Sequence, residues 1–474
     1  MYNASMLTRQ KRRVPWTAFL LAAGILAAIL SVYLAAPQVS NYSPSTRSGP
    51  VPASSSIVMQ FDQPMNQRSV ERRFRVTPPV EGVFIWEGNT LIYRPLEPWP
   101  FQAEITVRME GGARSERFLP TIGPTSWTFS TGGPRVLYLW PDEGEADLYA
   151  RPLDGLTVER LTQSDHGVLD YVVEPDGFTI IYAALRGDGG TELRMMDPLS
   201  SEDDLLYACE PGVRCQNLAY TSQDVLLFDR IQFDSGTSGR STPLETAVWA
   251  LDLNAGGGPY RIGVEGHDST LANPSPAGWV AYYDLTLRSI TIVDNVDEEQ
   301  PAILNQIPND LGLLGSWSPD GLLLLYPAIT FIQEDDLTQG DPLFFSHIYQ
   351  TALPVGPSVD LSGTMLESVE DSSPSVSPDG NWIAFTRKYL SPEMWTLGRQ
   401  LWIMRADGSN PRQLTDDPAF TISSPVWRTD SEALVYVRVN EADYTQASEL
   451  WWLDMETGAV QQILMGGFEP GWIP

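Results

Sequence analysis

A tight reversal followed by an apolar strand recurs through most of this chain, and that recurrence constrains the fold more than any other feature. Its clearest copy is Ser377-Pro378-Asp379-Gly380-Asn381-Trp382-Ile383-Ala384-Phe385. Pro sets φ, Asp bonds back to its own backbone and Gly takes a positive-φ position. The chain therefore turns sharply into a strand with an aromatic residue five places after the glycine. Aligned reversals put Gly177, Gln223, Gly278, Gly321, Gly380 and Ser431 in equivalent places, each followed five residues later by Tyr182, Phe228, Tyr283, Tyr326, Phe385 and Tyr436. Intervals of 43 to 59 residues are those of a four-stranded propeller blade.

The array, residues 134–474, begins out of phase. Arg135 to Trp140, Asp147 to Pro152 and Val158 to Thr162 read as second, third and fourth strands with no first strand before them. Pro470-Gly471-Trp472 matches Pro425-Val426-Trp427 at an innermost position, so the C-terminal strand is expected to complete the first blade and leave no open edge. Innermost strands near Tyr171, Tyr220, Asn273, Trp317, Val376, Trp427 and Trp472 count seven blades. Six is the alternative, because Gln223 and Ser431 sit in degenerate turns. Trp317-Ser318-Pro319-Asp320-Gly321, Val376-Ser377-Pro378-Asp379-Gly380 and Leu414-Thr415-Asp416-Asp417-Pro418 resemble the TolB-type propeller family. The resemblance covers the array. It implies a fold; members serve as periplasmic binding partners, as lids on peptidases and as other envelope proteins. Peptidases of this type carry a separate hydrolase domain. With the sequence running two residues past Trp472, none is expected here.

The N-terminal part reads differently. Residues 1–13 hold Arg9, Lys11, Arg12 and Arg13 and no acid, and residues 14–36 are an uncharged run rich in Leu, Ala and Ile. As a helix that run is about long enough for the ~30 Å bilayer core, and basic flanks stay cytoplasmic. A cleaved signal peptide is the competing reading; Leu34 and Pro37 fit poorly around a cut after Ala36. The expectation is a cytoplasmic tail (1–13), a transmembrane anchor (14–36) and a solvated Ser/Pro linker (37–50), all bulk lying outside the membrane. Short alternating runs then fill residues 51–132 and predict a β-sandwich. Phe61-Asp62-Gln63-Pro64-Met65-Asn66, Leu91-Ile92-Tyr93-Arg94-Pro95 and Trp127-Thr128-Phe129-Ser130-Thr131 resemble the bacterial Ig-like domain of surface-layer and other envelope proteins. That resemblance implies a spacer or adhesion module without an active site. The predicted class is thus all-β: one transmembrane helix, an Ig-like sandwich, then a propeller.

A net charge of −30, from 30 basic and 60 acidic residues, leaves no basic face to neutralise phosphates, which argues against nucleic acid. No Gly-x-Ser-x-Gly elbow, His-Glu-x-x-His pair or phosphate-cradling loop occurs. No catalytic residue or cofactor is assigned. In a propeller the fourth-to-first and second-to-third loops share one face. The former hold Asp165, His166, His267, Asp268, Asp310, Asp371, Asp416, Asp417 and Glu469; the latter are long at Gln232–Glu245, Thr330–Leu343 and Tyr389–Gly398. Asp165, His166, His267, Asp268 and Asp417 are candidates for a divalent cation such as calcium, against the plainer reading of a solvated acidic rim. Cys209 and Cys215, separated by five residues in one loop, are expected to form a disulfide outside the cytoplasm. His347 falls in a third strand, as a packing residue.

These features point to a membrane-anchored envelope protein that binds a protein or glycan partner through the long-loop face. The alternative is an extracytoplasmic hydrolase or lyase using paired carboxylates at the channel mouth. A close carboxylate pair in unlike environments would favour the enzyme, and an apolar or aromatic patch on the loop face the binding module.

Overall fold

A computed structural model describes residues 24, 35–47, 50–153, 157–174, 179–198, 203–234, 242–294, 301–331, 344–363 and 368–473. The predicted tail and anchor lie outside them, apart from Gly24, Ala35 and Ala36. Among the described residues no helix is long and apolar enough to cross a membrane. The chain divides into two compact units between Gly132 and Gly133.

Unit 1 is a two-sheet sandwich. Its strands are β1 (Val39–Ser43), β2 (Ile57–Phe61), β3 (Phe74–Thr77), β4 (Gly82–Glu87), β5 (Thr90–Pro95), β6 (Glu104–Met109) and β7 (Thr125–Ser130), with helix α1 (Gln67–Glu71) before β3. One sheet runs β1-β2-β5-β4, the other β3-β6-β7. Strand alternation sets the core: Leu91 and Tyr93 point inward from β5, Ile105, Val107 and Met109 from β6, and Trp127 and Phe129 from β7. Buried Trp99 donates its indole N–H to Ser55 O at 2.8 Å, and Tyr93 Oη donates to Val80 O at 2.6 Å, so both polar tips are satisfied inside. The stretch expected as a linker is corrected here. Val39–Ser43 pairs antiparallel with β2, and Tyr42 stacks on Trp127 at 4.3 Å between centroids. The Ser and Pro around it hid an apolar-aromatic strand whose partner lies about twenty residues on.

Unit 2 is a succession of antiparallel meanders. Its strands are β8 (Arg135–Trp140), β9 (Asp147–Pro152), β10 (Glu159–Arg160), β11 (Val168–Val173), β12 (Ile180–Leu185), β13 (Thr191–Met196), β14 (Asp203–Ala208), β15 (Val213–Tyr220), β16 (Val225–Asp234), β17 (Thr242–Asp252), β18 (Tyr260–Arg261), β19 (Ser269–Pro274), β20 (Val280–Asp284), β21 (Ser289–Asp294) and β22 (Ala302–Pro308). They continue with β23 (Ser316–Trp317), β24 (Leu323–Phe331), β25 (Phe344–Ala352), β26 (Ser358–Asp360), β27 (Val369–Val376), β28 (Trp382–Tyr389), β29 (Gln400–Arg405), β30 (Arg412–Gln413), β31 (Phe420–Trp427), β32 (Ala433–Asn440), β33 (Glu449–Asp454), β34 (Val460–Met465) and β35 (Phe468–Ile473). Strands β11–β14, β15–β18, β19–β22 and β31–β34 each form a four-stranded sheet. β23–β30 form one larger sheet, whose two meanders meet at a single parallel bridge, Ser346 to Glu370. β8–β10 take β35 as their fourth strand, with Trp472 opposite Val136 and Ile473 opposite Arg135. The sheet that opens the array is therefore finished by the last strand described.

At three places the first strand of one meander bonds to the first strand of the meander before it. Trp317 Nε1 donates to Asn273 O (3.1 Å), Trp427 Nε1 to Ser375 O (2.9 Å) and Trp472 Nε1 to Val426 O (3.1 Å). In each case the tryptophan of one first strand reaches a carbonyl at the matching place of the preceding one. A tryptophan here supplies both packing area and a donor of the right reach. The reversals behave as read. Gly321 and Gly380 both have φ 72, and Ser318 and Ser377 bond to Asp320 and Asp379. At Gly321 the fit is tight as well: an added Cβ would meet Ala277 N at 2.3 Å, because the turn lies against the preceding one. In the degenerate turn the positive φ falls on Asp224, one residue later than the Gln223 expected, and Ser431 takes it in the last.

Candidate binding face and channel

The first strands carry a repeated β-bulge. Register shifts occur at Gln216/Ala219, Thr270/Asn273, Ser372/Ser375, Ser423/Val426 and Phe468/Gly471. In each the bulge holds a residue at positive φ: Asn217, Leu271, Ser373, Ser424 and Glu469. A bulge turns backbone N–H groups out of the ladder, and at the β15 and β19 bulges a carboxylate of the neighbouring sheet receives one. Asp170 in β11 accepts from Leu218 N (2.5 Å) and from Tyr171 N (2.7 Å). Asp229 in β16 accepts from Leu271 N (3.1 Å), Asn217 Nδ2 (2.7 Å) and the Thr270 hydroxyl. Loss of water around them pushes both carboxyls up to about 6, with these hydrogen bonds pulling the other way.

Glu469 completes this group. Its backbone carbonyl accepts Tyr171 Oη at 2.6 Å. Its side chain is exposed to solvent at one end and crowded by protein around the rest. Dehydration first, and the Asp170 charge second, raise the carboxyl to about 8. It is therefore mostly protonated at neutral pH. A carboxyl raised on folding holds a proton that the unfolded chain has already released, so its contribution falls as pH rises. For Glu469 that window runs from about 4.5 to about 8. We expect the melting temperature of Glu469→Gln minus that of wild type to grow as pH rises from 5 to 8.5; a difference independent of pH would refute the raised carboxyl.

The loop residues singled out in the sequence are mostly paired, not gathered. Asp371 is the main correction: it lies within β27, buried, in a two-pronged pair with Arg387 (Nε to Oδ1 2.7 Å, Nη2 to Oδ2 2.7 Å). His267 Nδ1 lies 2.8 Å from buried Asp284 Oδ2, and Asp268 Oδ1 accepts Thr246 N at 3.1 Å. Asp310 pairs with Arg288 at 3.0 Å and Asp417 with Arg438 at 3.4 Å. Asp165 and His166 line a cleft of about 450 Å³ with Arg186 and Arg194, and His166 Nδ1 is 3.9 Å from Glu145. The sequence pairs belong to different sheets, and among the described residues no three His, Cys, Asp or Glu side chains stand close enough to hold a metal ion. His347 is buried in β25 against Asp360 (2.7 Å). Cys209 and Cys215 are disulfide-bonded. Asp170 and Asp229 were not singled out from the sequence. The signal for Asp170 was its place seven residues before Gly177, the bulge position of the other repeats.

Of the three long loops, Gln232–Glu245 begins and ends in the β16–β17 ladder, Gln232 opposite Glu245, with residues 235–241 outside the described set, and Thr330–Leu343 lies outside it beyond Phe331. The third is ordered around an exposed aromatic. Trp395 is 54% exposed and Met394 53%, with Lys388 Nζ over the indole at 4.9 Å and bonded to Leu397 O at 3.1 Å. On the next second-to-third hairpin, between β32 and β33, Tyr444 is 74% exposed and its hydroxyl bonds to Glu441. Glu441 is held below its ordinary pKa by hydrogen bonds from Thr421 and Tyr444, then by the charges of Lys388 and Arg399. That electrostatic link joins the two hairpins.

An Ig-like sandwich carried on the same chain as a propeller-type array of meanders is the class of protein this fold defines. Residues 35–131 match the bacterial Ig-like domain family. No curated protein matches the chain. Among solved structures, a putative TolB from Agrobacterium tumefaciens is similar at 20% identity, over 56% of this chain and 86% of that one, with a TM-score of 0.38. TolB from Acinetobacter baumannii is similar at 12% identity, over 85% and 83%, with a TM-score of 0.43. A prolyl endopeptidase structure is similar at 14% identity, over 70% of this chain and 49% of that one, with a TM-score of 0.46.

Proposed function

We propose that this chain is a membrane-anchored, extracytoplasmic binding protein of the cell envelope. In this reading residues 14–36 cross the membrane, the sandwich is a spacer, and a seven-bladed propeller presents its second-to-third hairpins to a protein or glycan partner. The observation that carries it is the exposed pair Trp395 and Tyr444 on adjacent hairpins of one face. Exposed large aromatics on a chain of this net charge gain nothing for the fold, while a partner that covers them gains both area and orientation. Lys388 and Glu441 hold the two side chains in place, which lowers the entropy lost on docking.

The test is a crosslinking pull-down from intact cells, comparing wild type with Trp395→Ser/Tyr444→Ser. Aromatic anchors of this kind are each worth about 2 kcal/mol, or ~30-fold in Kd. The partner should therefore vanish from the variant's eluate while abundant bystanders persist. Recovery of the same partner by both proteins would remove this face from consideration.

The second reading, a carboxylate-dependent hydrolase or lyase, draws support from Glu469, whose carboxyl is pushed up to about 8 by dehydration and by the charge of Asp170. Against it, Asp170 and Asp229 already accept backbone N–H groups across sheet boundaries, which is the work of a tie and not of a free base.

A further inference from the structure

The loop that joins β6 to β7 in the sandwich is extensively hydrogen-bonded, and it displays what a soluble spacer would hide. Ser115 N donates to Leu119 O (2.8 Å), Thr121 N to Ala113 O (2.8 Å), and Thr121 Oγ1 accepts from Gly112 N and Ala113 N. Asn66 N bonds to Arg114 O at 2.9 Å, which ties the loop to the start of α1. At its tip Phe118 sits at φ 64, a conformation that L side chains rarely adopt, with 76% of its surface exposed. Ile122 is 56% exposed. A strained, exposed ring on an otherwise well-bonded loop is not explained by the stability of the sandwich.

Two further observations say what covers it. Ala36 and Pro37, the last residue of the uncharged run and the next, are buried against this end of the unit, and Gln63 Nε2 holds Ala35 O at 3.1 Å. Ala36, Pro37 and Val39 share a cleft of about 350 Å³ with Thr121, Ile122 and Pro124. The run 14–36 therefore ends beside the Phe118 loop. Charge is also divided between the units: residues 51–132 carry eight basic and eight acidic side chains, whereas residues 133–474 carry 17 and 52. An anionic lipid surface repels the second unit and not the first. Arg114 and Arg117 are exposed beside Phe118, with Glu116 the acid between them.

We propose that the β6–β7 loop is a membrane-interface contact: Phe118 and Ile122 enter the boundary between headgroups and acyl chains, and Arg114 and Arg117 lie at phosphate level. Aromatic and aliphatic tips flanked by arginine suit that layer, where the apolar body is buried and the charge stays wet. The inference rests on residues 14–36 crossing the bilayer, and it makes the sandwich a unit seated on the membrane instead of one held away from it.

The full chain in nanodiscs of phosphatidylcholine and phosphatidylglycerol tests this. An environment-sensitive fluorophore is attached, one at a time, through Phe118→Cys, Ile122→Cys, Leu20→Cys and Ile85→Cys. Ile85 is an exposed apolar residue on β4, at the sheet edge opposite β1. The native cysteines are disulfide-bonded and do not take label. Nitroxide lipids should quench the labels at 118 and 122 several-fold more than that at 85, and quench the label at 20 from acyl-chain depth. Quenching at 20 alone overturns the loop contact and leaves the anchor standing. No quenching anywhere overturns both. Blue-shifted but unquenched labels at 118 and 122 mean that protein covers the loop, either the apolar run folded back or a second copy, and also overturn the proposal.

Discussion

Replacing Arg387 by methionine will destabilise unit 2 by about 3–5 kcal/mol, the usual result of stranding one member of a buried ion pair. Asp371 and Arg387 face each other across β27 and β28, nearly without solvent contact. Arg387 also bonds to Ser362 O at 2.9 Å and lies over the rings of Phe385 and Trp402. Methionine can fill much of the volume, but the buried carboxylate would lose its charge partner and the two guanidinium donors, keeping only the Ser362 bond. The deficit should shrink as pH falls, because Asp371 can then be buried neutral. Asp371→Asn in the Arg387→Met background should recover a large part of the loss, since a neutral amide costs less to bury than a lone carboxylate. Urea titrations followed by tryptophan fluorescence measure all three. A loss under 1 kcal/mol for Arg387→Met would show that the pair is solvated in practice.

Removing Phe468–Pro474 will have the larger effect. β35 is the innermost strand of the first sheet, and it is held from both neighbours: Trp472 Nε1 bonds to Val426 O in β31, and Tyr171 Oη, from β11, bonds to Glu469 O. Ile473 is buried in the core shared with β8 and β12. Without β35, the inner edge of β8 loses its ladder partner and its apolar cover together, and an unpaired inner edge recruits other chains. The truncated protein should melt far below wild type and run as aggregates on size exclusion. A peptide spanning 466–474, added in trans, should restore a monomer by strand addition. By contrast Trp472→Phe keeps an aromatic ring in place and loses one hydrogen bond and part of the packing, so only about 1–2 kcal/mol is expected. A truncated chain with a wild-type melting temperature would mean that β35 is not what holds the seam.

Much of the architecture was legible in the sequence because it depends on local chemistry. The Pro-Asp-Gly reversals, the aromatic five residues later and the alternation in β5, β6 and β7 each report a backbone requirement that short stretches satisfy by themselves. The out-of-phase start and the Trp472 match foretold the pairing of β35 with β8 for the same reason: strand roles repeat, and the count shows which is missing. The candidate site was far less legible. Sequence placed Asp371 and His267 with Asp165 and Asp417 on one rim, since position in a loop is all it can read. The structure separates them by partner: Arg387 and Asp284 each claim one. β1 was missed because its Ser and Pro content reads as linker until β2 lies beside it.

What the sequence by itself determined is the repeat, the strand faces, the charge and the uncharged N-terminal run, all properties of residues near one another in the chain. Only the tertiary structure decided which carboxylates are buried and paired, that Asp170 and Asp229 tie neighbouring sheets, and that Ile122 stands beside the end of the 14–36 run. Those outcomes depend on dehydration and on partners about 12 to 87 residues apart along the chain, and both exist only once the sheets have closed.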